Sequence, residues 1–291
     1  MFIDIHVHTR RVPGPKRGGK QAYATPEQLI ERYDELGVEK AVLLPGVSPE
    51  CAYAPQSNEE VLEIARDFGG RFIPFCNVDP RAMTNSPHAP LGEILRFYKD
   101  RGARGLGEVC ANLPFLDPRV QNLLRHLQEA ELPVTFHVAA QLGGTYGLYD
   151  EAGLPQLERC LAAFPKLKFF GHSQPFWAEI GRLEKPGNRY GYPKYPIAEE
   201  GAVPKLMRQY PNLYGDLSAG SGHNALARDP AYAVKFLTEF QDRLLFGTDI
   251  CAPDTPTPLV DLLLELRDSG RISQEVFHKV ARDNAVRLLD L

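Results

Sequence analysis

Nowhere in the chain do apolar residues run together for the ~18–20 positions that a membrane-spanning helix requires, so no segment reads as a span. The opening stretch MFIDIHVHTRRVPG also lacks the apolar core of a secretory leader. Charges interrupt it early, and its basic residues follow the apolar stretch instead of preceding it. It therefore reads as the first strand of the folded protein, in the cytoplasm. No disulfide framework is apparent either: the five cysteines are odd in number and irregularly spaced, which suits reduced thiols. Positive charge is not in excess. A formal net charge of −4 gives no general reason to expect nucleic acid or an anionic membrane as partner. No linker rich in Gly, Ser or charge divides residues 1–291, which read as one domain.

What is present is an alternation of short β-rich runs and longer helical segments, the pattern of βα units around a parallel sheet. Candidate strands are Phe2–Val7, Lys40–Leu44, Phe72–Asn77, Gly105–Val109, Val134–Val138, Lys168–Gly171, Leu213–Asp216 and Leu244–Gly247. These eight are the number a closed (β/α)8 barrel needs. Thr25-Pro26-Glu27-Gln28 and Asp117-Pro118 supply helix starts, and a final helix near Ser273–Leu289 is expected to close the barrel or pack at its rim. Two loops exceed the ~2–6 residues usual for a βα connection. Thr9–Ala24, after the first strand, carries Arg10, Arg11, Lys16, Arg17 and Lys20. Ser173–Glu199, after the sixth, carries Phe176, Trp177, Tyr190, Tyr192 and Tyr195. Both belong to the face at the strands' C-terminal ends, where barrel sites are built.

On the first strand, His6 and His8 are two apart and point to one side with Asp4, leaving Ile3, Ile5 and Val7 for the outer helices. Two such imidazoles grip a divalent ion, although His-x-His alone is a weak signal. Other candidate ligands recur at strand ends: Glu108 on the fourth, His137 on the fifth, His172 on the sixth and Asp249 on the eighth. Each is a costly core residue without a partner, and a shared metal provides one. His88, His126 and His278 fall on or near helices and read as surface residues. His223 follows the seventh strand, where touching substrate and shaping the loop are equal readings. Cys110 and Cys251 follow two of the ligands and read first as small buried thiols.

This ordered set resembles the amidohydrolase superfamily. Asp4-Ile-His6-Val-His8, Phe246-Gly-Thr-Asp249 and Asn284-Ala-Val-Arg-Leu-Leu resemble its "amidohydrolase 2" branch of metal-dependent TIM-barrel hydrolases. The resemblance implies that His6, His8 and Asp249 hold the more buried metal. It implies that His137 and His172 hold a second, or that one of them polarises the substrate if only one ion is bound. Glu108 stands where many superfamily members have a carboxylated lysine bridging two metals. It keeps a bridged pair open, while one-metal members of the branch often lack it.

The implied chemistry is hydrolysis of an ester, lactone, amide or related bond in a small substrate that carries a carboxylate in one reading. A divalent ion, Zn²⁺ first among the candidates, brings the pKa of water from 15.7 towards ~7. Asp249 serves as base and His172 stabilises charge. Arg10, Trp177 and His223 are the candidate substrate contacts. The same scaffold also supports metal-dependent decarboxylation, the closest rival. Behind it stand a TatD-like nuclease, a phosphoesterase that opens on Asp-x-His-x-His, and a metal-stabilised binding protein without turnover. The sequence leaves a homo-oligomer open.

Overall fold

Thr25 ends the first long loop as its side chain dictates. In the computed structural model, which describes residues 1–52 and 54–291, its hydroxyl accepts from the Gln28 backbone N–H while the Gln28 side chain accepts from Thr25 N–H. That reciprocal cap, with Pro26 in the first turn, starts the helix Pro26–Leu36, and Gly37 stops it at φ 71°, the left-handed region glycine enters freely. Asp117 caps Pro118–Ala130 by accepting from Arg119 N–H at 2.9 Å, again with a proline in the first turn. Among the described residues no helix is long and apolar enough to cross a membrane.

Among the described residues eight strands follow one another around the sheet: β1 Phe2–Val7, β2 Val38–Leu43, β3 Phe72–Pro74, β4 Leu106–Val109, β5 Val134–Ala139, β6 Phe169–His172, β7 Leu213–Asp216 and β8 Leu244–Leu245, while a ninth, two-residue strand, Leu148–Tyr149, pairs parallel with the end of β5 off this path. They form two ladders, β1 to β3 and β4 to β8, each in chain order. Backbone hydrogen bonds join the ladders into a ring. Gly107 N–H donates to Cys76 O at 3.0 Å beside β3, and Ile5 N–H, Asp249 N–H and His8 N–H bond across the seam between β1 and the segment after β8.

The barrel interior departs from simple alternation on β1. Ile3 and Ile5 do not face the outer helices; they pack inside with Val42, Phe75, Phe170, Tyr214 and Leu245. Asp4 points the other way and accepts from Tyr33 Oη of the first helix at 2.6 Å. The β1–β2 register then shifts between Asp4 and Val7, so His6 follows Ile5 to the inner side and Val7 joins the outer layer. One irregularity thus lifts both histidines above an apolar floor. Leu288 and Leu289 of the last helix, Asn284–Leu289, seal the lower end.

The loop after β6 is internally braced. It holds a short helix, Gln174–Ala178, and a 3-10 turn, Pro186–Tyr190. Phe176 and Trp177 are 0% and 1% exposed, so they belong to the core, and Trp177 is not placed to touch a substrate. Arg189 lies buried in the turn, 2.5 Å from Glu179, and donates to Asp150 O at 2.6 Å. Removing one partner of a buried ion pair leaves the other charge uncompensated. Arg189→Ala is therefore expected to cost about 3–5 kcal/mol of unfolding free energy in denaturant titration. A loss below about 1 kcal/mol, the scale of an exposed pair, would show that the pair does not brace the loop.

Candidate metal centre

At the upper ends of the strands the chain brings its scattered polar residues together. His6 is fully buried, and its Nδ1 donates to Asp216 Oδ2 at 2.6 Å. His8 Nδ1 donates to the Leu44 carbonyl at 2.8 Å. Each ring thereby turns Nε2 inward, and the two Nε2 atoms are 3.3 Å apart. Glu108 Oε2 lies 3.7 Å from His6 Nε2 and 3.6 Å from His8 Nε2. Asp249 Oδ1 lies 3.6 and 3.5 Å from the same two atoms.

Those separations test a metal directly. Four donors in a tetrahedron with bonds of about 2.0–2.1 Å lie about 3.4 Å from one another. His6 and His8 with Glu108, and the same pair with Asp249, each form a triangle of 3.3–3.7 Å that matches one face of such a tetrahedron, with the imidazoles already held by partners on their other nitrogens. A second group, Glu108, His137 and His172, adjoins it. Its spacing is less even: His137 Nδ1 donates to Glu108 Oε1 at 2.7 Å, while His172 Nε2 is 3.8 Å from that oxygen. In the first group the histidine pair is evenly spaced from either carboxylate; in the second, a hydrogen bond occupies part of it.

Charge is balanced by proximity here. Burial disfavours a charged His6 ring, but Asp216, Glu108 and Asp249 outweigh it and raise its pKa well above the ordinary value. Burial likewise opposes the Glu108 carboxylate, yet His137, His6 and His8 hold its pKa well below the usual range. His172 goes the other way, pushed down to about 4 by burial and by the neighbouring His6. Its Nδ1 bonds Ser218 Oγ at 2.9 Å, which fixes Nε2 towards Glu108 and Asp249. A divalent ion at this seat has to displace the His6 proton. Metal affinity is therefore expected to fall by up to about tenfold per pH unit below neutrality, as read by competition titration against a chelator of known pH response. An affinity flat between pH 6 and 8 would contradict the raised His6 value.

Several supporting residues escaped the sequence reading. Asp216, fully buried at the end of β7, orients His6 and also lies 3.6 Å from His172 Nδ1. Its signal was its place at a strand terminus, the same signal that found the ligands. Tyr146, from an unanticipated loop after β5, stacks on His137 with ring centroids 4.5 Å apart. The Gly-rich run around it was the available hint. Gly147, at φ 104°, lets this loop reach the histidine, because a Cβ there would meet His137 Cδ2 at 2.8 Å. Gly247 fits beneath the seat, where a Cβ would sit 2.8 Å from Ser218 Cβ and 3.3 Å from His6 Cβ. Asp4 serves architecture and not ring orientation: besides Tyr33, it accepts from His6 N–H and from the Thr248 N–H and hydroxyl.

Two cavities open beside the seat. The larger, about 390 Å³, includes His137, His172, Tyr190, Tyr192 and Asp249 in its walls; the smaller, about 90 Å³, includes His8, Arg10, Glu108 and Asp249. Of the expected substrate contacts, Arg10 lines the smaller cavity. Trp177 does not reach either: its Nε1 donates to Asp216 O at 2.7 Å from within the core. His223 is half-buried on the helix Ala219–Ala227, where a loop was expected, and lines neither. Cys110 and Cys251 line the smaller one, and all five cysteines are unpaired.

No protein of curated function matches the chain in sequence. Among solved structures, the chain is similar to an uncharacterised TIM-barrel protein from Bordetella bronchiseptica, with 18% identity, TM-score 0.66 and coverage of 99% of this chain and 98% of that one. It is also similar to an amidohydrolase from Burkholderia multivorans with bound zinc (16%, TM-score 0.64, 100% and 99% covered). A third is 5-carboxyvanillate decarboxylase from Sphingomonas paucimobilis (17%, TM-score 0.62, 100% and 99% covered). The amidohydrolase family model matches residues 3–291, and the chain belongs to that amidohydrolase family.

Proposed function

We propose that this enzyme is a metal-dependent hydrolase acting on an ester, lactone, amide or related bond of a small acid, with Zn²⁺ as its ion. The observation that carries the reading is the convergence of His6, His8, Glu108 and Asp249: the two Nε2 atoms lie 3.3 Å apart, and each carboxylate comes within 3.5–3.7 Å of both. When bound, such an ion supplies Lewis acidity towards oxygen. Asp249 takes the proton of the attacking water: its side chain is 25% exposed, the most open of these donors, and it faces both cavities. His172, neutral above about pH 4, keeps Nε2 within 3.9 Å of Asp249 Oδ2 and hydrogen-bonds the substrate's developing charge. Tyr146 and His137 line both cavities and orient the substrate between them.

Metal content of protein purified without chelator tests this reading. One zinc per chain is expected, reduced in occupancy when Glu108 becomes Gln, because that substitution removes a donor. Two zincs falling to one would establish a Glu108 bridge to His137 and His172. One zinc unaffected by Glu108→Gln would remove Glu108 from the seat and favour the decarboxylase reading, for which CO₂ release without net consumption of water is the direct assay.

A further inference from the structure

We infer that Arg10 is a built seat for a substrate carboxylate, held ready at one end of the metal centre. This rests on the reading that the adjoining cavities take the substrate. Arg10 is 6% exposed, lines the 90 Å³ cavity, and its Nε has no hydrogen-bond partner among the described residues. Among the described residues no carboxylate forms an ion pair with it, and its guanidinium rests on the face of Tyr23, 4.2 Å from the ring centroid. A buried cation without a counter-charge is costly, so its upkeep requires a compensating partner from outside the chain.

The loop's other cations are engaged differently. Arg11 pairs with Asp67 and Lys20 with Asp254, so two of the loop's other four cations are engaged at the surface. Arg17 stays exposed at the rim of the same cavity. The backbone around Arg10 is fixed: its N–H donates to Ala24 O at 3.1 Å, and Gln56 Nε2 donates to Thr9 O at 2.8 Å. The two acidic residues in the cavity wall, Glu108 and Asp249, belong to the metal seat and do not reach Arg10.

Size and charge select the ligand. A planar fork bearing one positive charge matches a carboxylate in two parallel hydrogen bonds, and a cavity this small suits a planar monoanion better than a tetrahedral dianion. His137, Tyr146 and Asp249 line both cavities, so a molecule anchored at Arg10 with its body in the larger space passes directly over the metal ligands. The carboxylate at Arg10 is then a handle that stays on the product, and the bond that reacts lies between it and the larger cavity.

Isothermal titration of zinc-loaded and chelator-treated protein with benzoate, benzamide and phenylphosphonate tests the assignment. Benzoate is expected to bind at least about tenfold more tightly than its neutral isostere benzamide, and Arg10→Met to lower benzoate affinity by a similar factor. The variant should leave benzamide binding and zinc content unchanged. Because it removes an unpaired buried charge, it should also melt no lower than the wild type. Arg10→Lys, which keeps the charge without the fork, should fall between the two. Benzoate binding that is absent, or equal in wild type and Arg10→Met, would overturn the seat. So would a lowered melting temperature with unchanged binding. Tighter, Arg10-dependent binding of phenylphosphonate would instead identify a phosphate site. Zinc uptake without Arg10-dependent benzoate binding sinks the seat alone; Arg10-dependent binding without zinc uptake sinks the hydrolase reading alone.

Discussion

Asp249→Asn is expected to reduce kcat by at least about 10²-fold, the lower end of what a positioned general base contributes, while leaving the fold intact. The site makes this a clean substitution. Asp249 sits at φ 55°, a left-handed conformation that Asn adopts as readily as Asp, so the backbone needs no adjustment. Its N–H bond to His6 O at 2.8 Å is a backbone contact and survives. What is lost is the anionic Oδ1 that faces His6 and His8, and with it the capacity to accept a proton. The amide oxygen still occupies a corner of the seat, so zinc should be bound more weakly without being abolished. Turnover of a panel of lactones, amides and phosphoesters, measured with zinc in excess, checks this. Activity within about tenfold of wild type would remove Asp249 from the role of base.

Asp216→Asn acts one layer further out, and its expected effect is on metal affinity, by about 10–100-fold. The reason is a tautomer. Asp216 Oδ1 accepts from Ser218 N–H at 2.9 Å, and Oδ2 accepts from His6 Nδ1 at 2.6 Å. An asparagine must keep its oxygen on the Ser218 side, which turns its NH₂ towards His6. Nδ1 then becomes an acceptor, the ring proton moves to Nε2, and the nitrogen needed for the metal no longer has its lone pair free. The carboxylate that raises the His6 pKa is lost as well, so any remaining metal binding should depend less on pH. Competition titration reads the affinity, and ¹⁵N chemical shifts of the imidazole read the tautomer. A metal affinity within about threefold of wild type would mean that Asp216 is only structural.

These two residues mark how far the sequence could be read. Asp249 was found because it ends a strand inside a Phe-Gly-Thr-Asp run, and His6, His8, Glu108, His137 and His172 by the same logic. Strand ends are readable when hydrophobic runs stop at a polar residue, because burying that residue demands a reason. Asp216 ends such a run too, yet nothing local says that it reaches His6, 210 positions earlier. Side-chain direction on β1 was misjudged for a related reason. Ile-Asp-Ile-His-Val-His alternates in sequence whether or not the strand is regular, so a register shift leaves no trace in the pattern. Trp177 reads as a substrate contact from its place in a long loop on the active face. Its neighbours in space, Phe176 and Phe236, are what keep it in the core, and the second is far away along the chain. The helices were legible because their caps are local chemistry.

The seam between β1 and β8 has a further meaning for how the protein is made. Asp4 bonds Thr248 across 244 positions, and the metal seat takes His6 and His8 from one side of this seam and Asp249 from the other. Synthesis proceeds from the N-terminus, so the nascent chain exposes two histidines long before their acidic partner has been translated. Until the last βα unit docks, any ion it captures is held by an incomplete set and exchanges readily. Firm retention of an ion at this candidate site would therefore begin only when the ring shuts, so such an ion would monitor completion of the chain and not template its early folding.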